Sequence, residues 1–344
     1  MTLAPHIERV LDAARTAPSH HNAQPWRFLV DGEAVAFFVD HERCAPSEAG
    51  MARVAIGAAL ECVHVAAARM GSTVRPRAPR EGAVVEITVG EAKRLPDPDL
   101  ARMRRVTNRR IYDGRAIDDD TLRALREATP QRDLAQTHWF GRERVRALGP
   151  IVEEAEDLFF SDATLRERAL ASIRFDVKDR EDVTHGLAVA SLELQAAERA
   201  ALVELRKPSG EGAVAAARKT LAARARKQME SASGVCILTT SGREPSADVD
   251  VGRSTQRAWM TLTQRGLAAH PMTAILALGA GTAEADADTV DNRVLKVLTA
   301  FRGAFPNVPV DSRIAMLLRF GYADAPTCRV GRLALEESLA AGSG

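Results

Sequence analysis

Apolar residues fall at helical spacing from the start of the chain. Ile7, Val10, Leu11 and Ala14 sit at i, i+3, i+4 and i+7, which predicts a helix over residues 6 to 16 with one apolar face, stopped by Pro18. Two alanine-rich stretches, IGAALECVHVAAARMGS at 56–72 and STQRAWMTLTQRGLAAH at 254–270, predict long helices that end at Gly71 and Gly266, with Trp259 and Leu262 as core positions. VVEITVG at 84–90 and RIAMLLRFGYA at 313–323 are β-branched or aliphatic runs and predict strands at the centre of one or two packed sheets. From about Leu148 to Met229, apolar and charged residues alternate at helical spacing, broken at Lys207-Pro208-Ser209-Gly210, so two or three helices are expected. Residues 279–312 carry Gly, Asp and Pro breakers and are expected to be loop-rich, and LPDPDL at 95–100 is expected to be a linker.

These elements occur in an order that repeats. AARTAPSHHNAQPWRF at 13–28 is weakly matched by REATPQRDLAQTHWF at 126–140, the two long helices match each other, and each set closes with a strand. The division expected is an N-terminal half over 1–95, a C-terminal half made of 96–147 and 230–344, and a helical insertion over 148–229, read either as structural filling or as a lid.

With 344 residues the chain has length for a sizeable core. Its 47 basic and 46 acidic residues leave a formal charge of +1, which gives no field favouring nucleic acid or an anionic membrane. Cys44, Cys62, Cys236 and Cys328 are far apart and form no C-x-x-C pair, so no metal site and no disulfide framework are expected. The first residues lack a signal-peptide core and no apolar run of transmembrane length is read, so a cytoplasmic protein without a membrane partner is the expectation. Dinucleotide, Walker A, G-x-S-x-G and H-E-x-x-H motifs are missing.

The candidate chemistry lies in APSHHNAQPWRF at 17–28, directly behind the first helix. Its pattern Pro-Ser-x-x-Asn-x-Gln-Pro-Trp resembles the loop with which FMN-dependent nitroreductases hold the flavin ring, and in layout the chain is similar to the fused, single-flavin branch that includes the mycobacterial Acg-type proteins. The resemblance implies an α+β fold: a nitroreductase-like α/β sandwich of two tandem degenerate halves forming an internal pseudo-dimer, with the insertion as a lid. It implies FMN as cofactor, with Pro18, Ser19, His20, Asn22 and Gln24 in the loop against it; His20 and His21 are candidates to stack on the ring or hydrogen-bond to it.

RRVTNRRIYDGRAIDDDTLRALREA at 104–128 resembles the family's arginine-rich lead-in. Asn108 takes the place of a Ser, Arg110 the basic position beside the ring, and either Arg105 or Arg109 meets the phosphate; by itself the basic run also reads as a solvated face. A phosphate monoester needs two or more charge-assisted donors, which arginines supply. The first copy keeps the loop and the second keeps the cluster, so one FMN per chain is expected. His270, Pro271, Met272 and Thr273 match the loop that offers backbone N–H groups to the ring, and Arg329 and Arg332 match a closing basic pair near the phosphate. Gln256 and Arg257 are left open. The implied activity is reduction of a nitroaromatic or quinone with electrons from NAD(P)H, by a monomer built as a pseudo-dimer or by a loose homodimer. Two alternatives stand beside it: a protein that only stores FMN beneath its lid, and a flavin-dependent biosynthetic dehydrogenase.

Overall fold

The structure is a computed structural model that describes residues 3–95, 105–175, 183–284 and 290–342. Most of the linker read at 95–100 lies outside these. Helix α1 (Pro5–Ala14) has proline in its first turn, where the missing N–H costs nothing, and buries Ile7, Val10, Leu11 and Ala14. Strands β1 (Trp26–Asp31) and β2 (Ala34–Val39) form a hairpin. After helix α2 (Ala49–Met70), which Gly71 ends in the left-handed conformation (φ 66°), come β3 (Val74–Arg77) and β4 (Val85–Val89). The four strands make an antiparallel sheet in the order β1-β2-β4-β3.

Helix α3 (Asp119–Glu127) and strand β5 (Gln136–Phe140) precede a helical segment of α4 (Arg142–Ser161), α5 (Ala163–Ala171), α6 (Ala196–Glu204) and α7 (Glu211–Glu230). A two-residue parallel pair, β6 (Ile173–Arg174) with β7 (Leu187–Ala188), lies within it. The two or three helices expected here are thus four. Pro150 falls inside α4 without ending it.

The remaining elements are β8 (Gly234–Thr240), α8 (Pro245–Gln264), β9 (Ala268–Pro271), α9 (Ala274–Glu284), α10 (Asn292–Gly303) and β10 (Arg313–Gly321). They complete a second antiparallel sheet, β5-β8-β10-β9, with both strands read from the sequence placed inside their sheets. The expectation of a loop-rich 279–312 is corrected: α9 and α10 occupy much of it, because Ile275 and Leu278 with Val297 and Phe301 bury an apolar face against α4 that outweighs the local glycines.

Helices α2 and α8 cross at the centre of the molecule. A Cβ on Gly57 would stand 2.0 Å from the Val249 carbonyl oxygen, and one on Gly252 would stand 1.9 Å from that of Val54, so each helix admits the other's backbone only at a glycine. By length and composition α2, taken from Pro46 to Met70, is apolar enough to cross a membrane, contrary to the reading above; 72% of its most apolar window is buried in the protein.

Candidate functional site

The loop after α1 is held in a shape that few side chains tolerate. His21, Asn22 and Gln24 have φ of 50°, 57° and 51°, the left-handed region, where Asn is the least disfavoured of the three. Its own polar groups maintain it. The Gln24 amide N–H donates to Ser19 Oγ (2.9 Å), and Gln24 Nε2 donates to Asn22 O (3.2 Å) and Thr184 O (2.7 Å) while its Oε1 accepts from Leu333 N (3.0 Å). Asn22 Nδ2 lies within reach of the carbonyls of Thr184, Gly186 and Gly331, at 3.2, 3.1 and 3.3 Å. The expected cofactor contact from Gln24 is therefore corrected: both amides tie the loop to the α5–α6 connection and to the C-terminal segment, and Gln24 lines neither cavity described below, whereas Asn22 also lines the first of them.

Outside the loop lies a cleft of about 330 Å³ lined by Arg15, Arg105, Arg109, Arg329 and Arg332 together with Thr16, Ser19 and Ser191, and among the described residues no carboxylate lines it. Arg15 is paired with Asp12 (2.6 Å). Arg105 donates one bond to Thr16 O (3.1 Å) and lies 4.5 Å over the Trp259 ring, with its Nε buried and lacking an acceptor; the Nε of Arg332 is in the same state. Burial, with Arg332 and Arg329 alongside, pushes the Arg105 guanidinium down to about 9, and burial pushes Arg109 and Arg332 down to about 10. Arg105, Arg109 and Arg332, partly or wholly out of water and without a salt bridge among the described residues, make a cationic cluster to which an anion is complementary.

Pro18, Ser19, His21, Thr107, Arg109 and Leu187 line both this cleft and a second, adjoining cavity of about 280 Å³. Its walls include Met51 and Ala55 of α2, Trp259 of α8, residues 270–275, and the inner faces of α4 and α7. His20 and His21 stack on each other at 3.8 Å along one side, and burial keeps both below the usual histidine range. Trp259, read as core, is both buried and a wall of this cavity, whereas Leu262 is core alone. Gln256 is fully buried with its Nε2 3.1 Å from Cys62 Sγ, and Arg257 pairs with Glu61 away from the cavity.

His270 to Thr273 line the cavity, but as backbone donors they are mostly engaged. His270 lies opposite Arg319 in the β9–β10 ladder, Pro271 has no N–H, and Met272 N donates to Leu317 O (2.9 Å); Thr273 lies between the strand and α9. Asn108 and Arg110 line neither cavity, which corrects their expected roles. Asn108 Nδ2 donates to Asp324 O (2.8 Å) and its Oδ1 accepts from Arg110 N (3.1 Å), while the Arg110 guanidinium lies 3.4 Å from Glu193. Sequence reasoning missed Arg319. Fully buried within β10 and 4.0 Å from the Tyr112 ring centroid, it donates to the carbonyls of Gln228 (2.8 Å) and Arg110 (2.7 Å) and to His270 Nδ1 (3.2 Å), joining the basic segment to the cavity wall. An arginine in the middle of an apolar strand was its signal.

The Nitroreductase family model matches residues 4–61, which contain α1, the left-handed loop and the first part of α2. Over these residues the chain is similar to the nitroreductase family. Beyond them the similarity thins. The chain is 24% identical over 293 residues to the Mycobacterium tuberculosis protein MT1398, covering 82% of this chain and 41% of that one. It is 37% identical over 70 residues to the M. tuberculosis protein acg, whose name proposes an NAD(P)H nitroreductase, covering 20% of this chain and 21% of the relative. The chain thus spans less than half the length of these relatives. Among solved structures, the FMN-dependent nitroreductase NfnB of Mycobacterium smegmatis in complex with NADPH aligns at a TM-score of 0.37 and 19% identity over 69% of this chain and 93% of that one. A nitroreductase of Bacteroides fragilis with bound FMN aligns at 0.35 and 14%, over 67% and 89%.

Proposed function

We propose that the chain is an FMN-dependent oxidoreductase that passes electrons from NAD(P)H to an electron-poor aromatic acceptor such as a nitroaromatic or a quinone. The observation that carries this reading is the cleft of five arginines, without a carboxylate among the described residues that line it, opening beside the nitroreductase-family loop into a largely apolar cavity. An amphiphilic ligand with an anionic end and a flat ring end matches this pair of spaces, and FMN is such a ligand. Arg105, Arg109 and Arg332 would hold its phosphate as charge-assisted donors: the buried Nε groups of Arg105 and Arg332 lack an acceptor among the described residues, and burial lowers the pKa of all three guanidiniums, which calls for a negative partner. Pro18, Ser19, the stacked histidines, Trp259 and residues 270–273 would enclose the ring. Bound there, FMN supplies hydride transfer; the protein supplies orientation and a dry, polarised setting.

One site per chain is part of the proposal. The reciprocal seating of Gly57 at Val249 and Gly252 at Val54 supports two halves related by a pseudo-two-fold, because positions 54 and 57 recur at 249 and 252 with roles exchanged. On the other half the chain has filled the ground itself. Glu61, 1% exposed, takes salt bridges from Arg132, Arg253 and Arg257, so the cations there already have their counter-ion. The storage reading also has an observation behind it, since Thr184 and Gly186, within the helical insertion, bond the loop directly.

The purified protein is expected to carry close to one FMN per chain, measured by chromatography of the flavin released on denaturation. FAD, two FMN per chain, or no flavin after incubation with FMN would overturn the proposal.

A further inference from the structure

The cavity has a second end that the nitroreductase-family segment does not build. Val152, Ala155, Glu156 and Phe159 of α4 line it at i, i+3, i+4 and i+7, and Leu221, Arg224, Ala225 and Gln228 of α7 face it with the same spacing. Each helix therefore presents an apolar stripe interrupted by one charge. The two charges are not equally placed. Arg224 is buried and engaged, paired with Glu198 and donating to the carbonyls of Leu192 (3.1 Å), Glu193 (2.8 Å) and Arg109 (3.1 Å). Among the described residues Glu156 has no hydrogen-bond donor and no salt bridge, although its neighbours Glu153, Glu154 and Asp157 are all paired outward with Arg226, Arg293 and Arg218.

We propose that Glu156 is the proton donor to the acceptor, which binds in the α4–α7 end of the cavity with an oxygen against this carboxyl. The inference rests on the oxidoreductase reading above. Reduction of a quinone consumes one NAD(P)H and one proton and yields a hydroquinone and NAD(P)+. The electron pair and one hydrogen come from NAD(P)H, and the proton comes from Glu156. The carboxyl O–H breaks as the acceptor's O–H forms, leaving a carboxylate opposite Arg224 that water reprotonates. Phe159, Phe160, Leu194, Leu202 and Leu221 make the surrounding wall apolar, which selects an aromatic acceptor over a sugar or an anion.

The protonation state fits the task. Burial, only partly offset by Arg224, raises the Glu156 carboxyl to about 7, where a proton is both held and released near neutrality. Of the other titratable groups lining the cavity, burial lowers His20, against a raising pull from Glu48, and holds His21 and His270 well below the usual histidine range; Arg109 is pushed down to about 10, and burial lowers Arg224 while Glu198 works against it.

A protonated carboxyl donates a hydrogen bond to a carbonyl oxygen and a carboxylate cannot. Menadione, a quinone that does not titrate, should therefore bind the purified protein at least fivefold more tightly at pH 6 than at pH 8, by calorimetry without reductant. Glu156→Gln should bind it equally at both pH values, and Glu156→Asp should keep a pH dependence. In turnover with NADPH, Glu156→Gln should lower kcat for menadione at least tenfold with little change in KM and lose the break near pH 7. Equal menadione affinity of the wild type at pH 6 and 8, the same pH dependence in Glu156→Gln, or an unchanged kcat in that variant would each overturn the proposal. Calorimetry reads Glu156 separately from flavin content, so loss of the FMN reading would show in the released flavin while failure here would not.

Discussion

The arginines of this protein divide by whether they have a counter-ion. Arg132, Arg253 and Arg257 share Glu61, and Arg224 has Glu198, whereas among the described residues Arg105, Arg109 and Arg332 form no salt bridge, which is what marks the proposed phosphate site. Removing one guanidinium from a bound phosphate costs about 1.5–3 kcal/mol, roughly ten- to a hundredfold in affinity. Arg105→Ala and Arg332→Ala should each weaken FMN retention by that factor, measured by fluorescence titration of the flavin-depleted protein, while Arg110→Ala should leave it within about twofold. Equal loss in all three would return Arg110 to the site. The sequence alone pointed to this basic run and could not rank its members. Arg110 and Asn108 sit between lining residues in the chain, but Glu193 and the Asp324 carbonyl, far away in sequence, draw them off.

At the scale of elements, periodicity was enough where one face of a helix or strand meets the core. Helix α1, the two long helices and the strands β4 and β10 follow from their own residues. It failed over 279–312, where breakers are local and the apolar face that makes α9 and α10 helical is satisfied only by α4. The contact between α2 and α8 is likewise invisible in the pattern, since both glycines sit in sequence as weak helix formers. Gly57→Ala should lower stability by about 1–3 kcal/mol through overpacking, seen as a fall of several degrees in Tm. Gly212→Ala in α7, where an added Cβ meets nothing within 4 Å, is the control and should be neutral or slightly stabilising. Equal Tm values for the two variants would mean that the crossing relaxes freely.

For the whole molecule the question is whether helices α4 to α7 admit a reductant to the cavity they help to enclose. The loop bonds from Asn22 and Gln24 to Thr184 fasten this segment over the cavity. On anaerobic mixing in a stopped-flow instrument, NADPH or NADH should bleach the bound flavin of the intact protein; no bleaching over minutes with either would favour storage. What the sequence determined by itself is local: the loop with its Pro, Ser and Asn, the arginine-rich run, the long helices, and the absence of any other cofactor motif. These are legible because backbone preference and one-sided burial act over a few neighbouring residues. The tertiary structure alone decided which polar groups remain for a ligand. It joined Arg105 to Arg332 in one cleft, turned Asn22 and Gln24 into ties, and left Glu156 facing a cavity without a partner among the described residues. A side chain's function depends on which distant carbonyl or carboxylate reaches it first, and that is set by the packing of the whole chain.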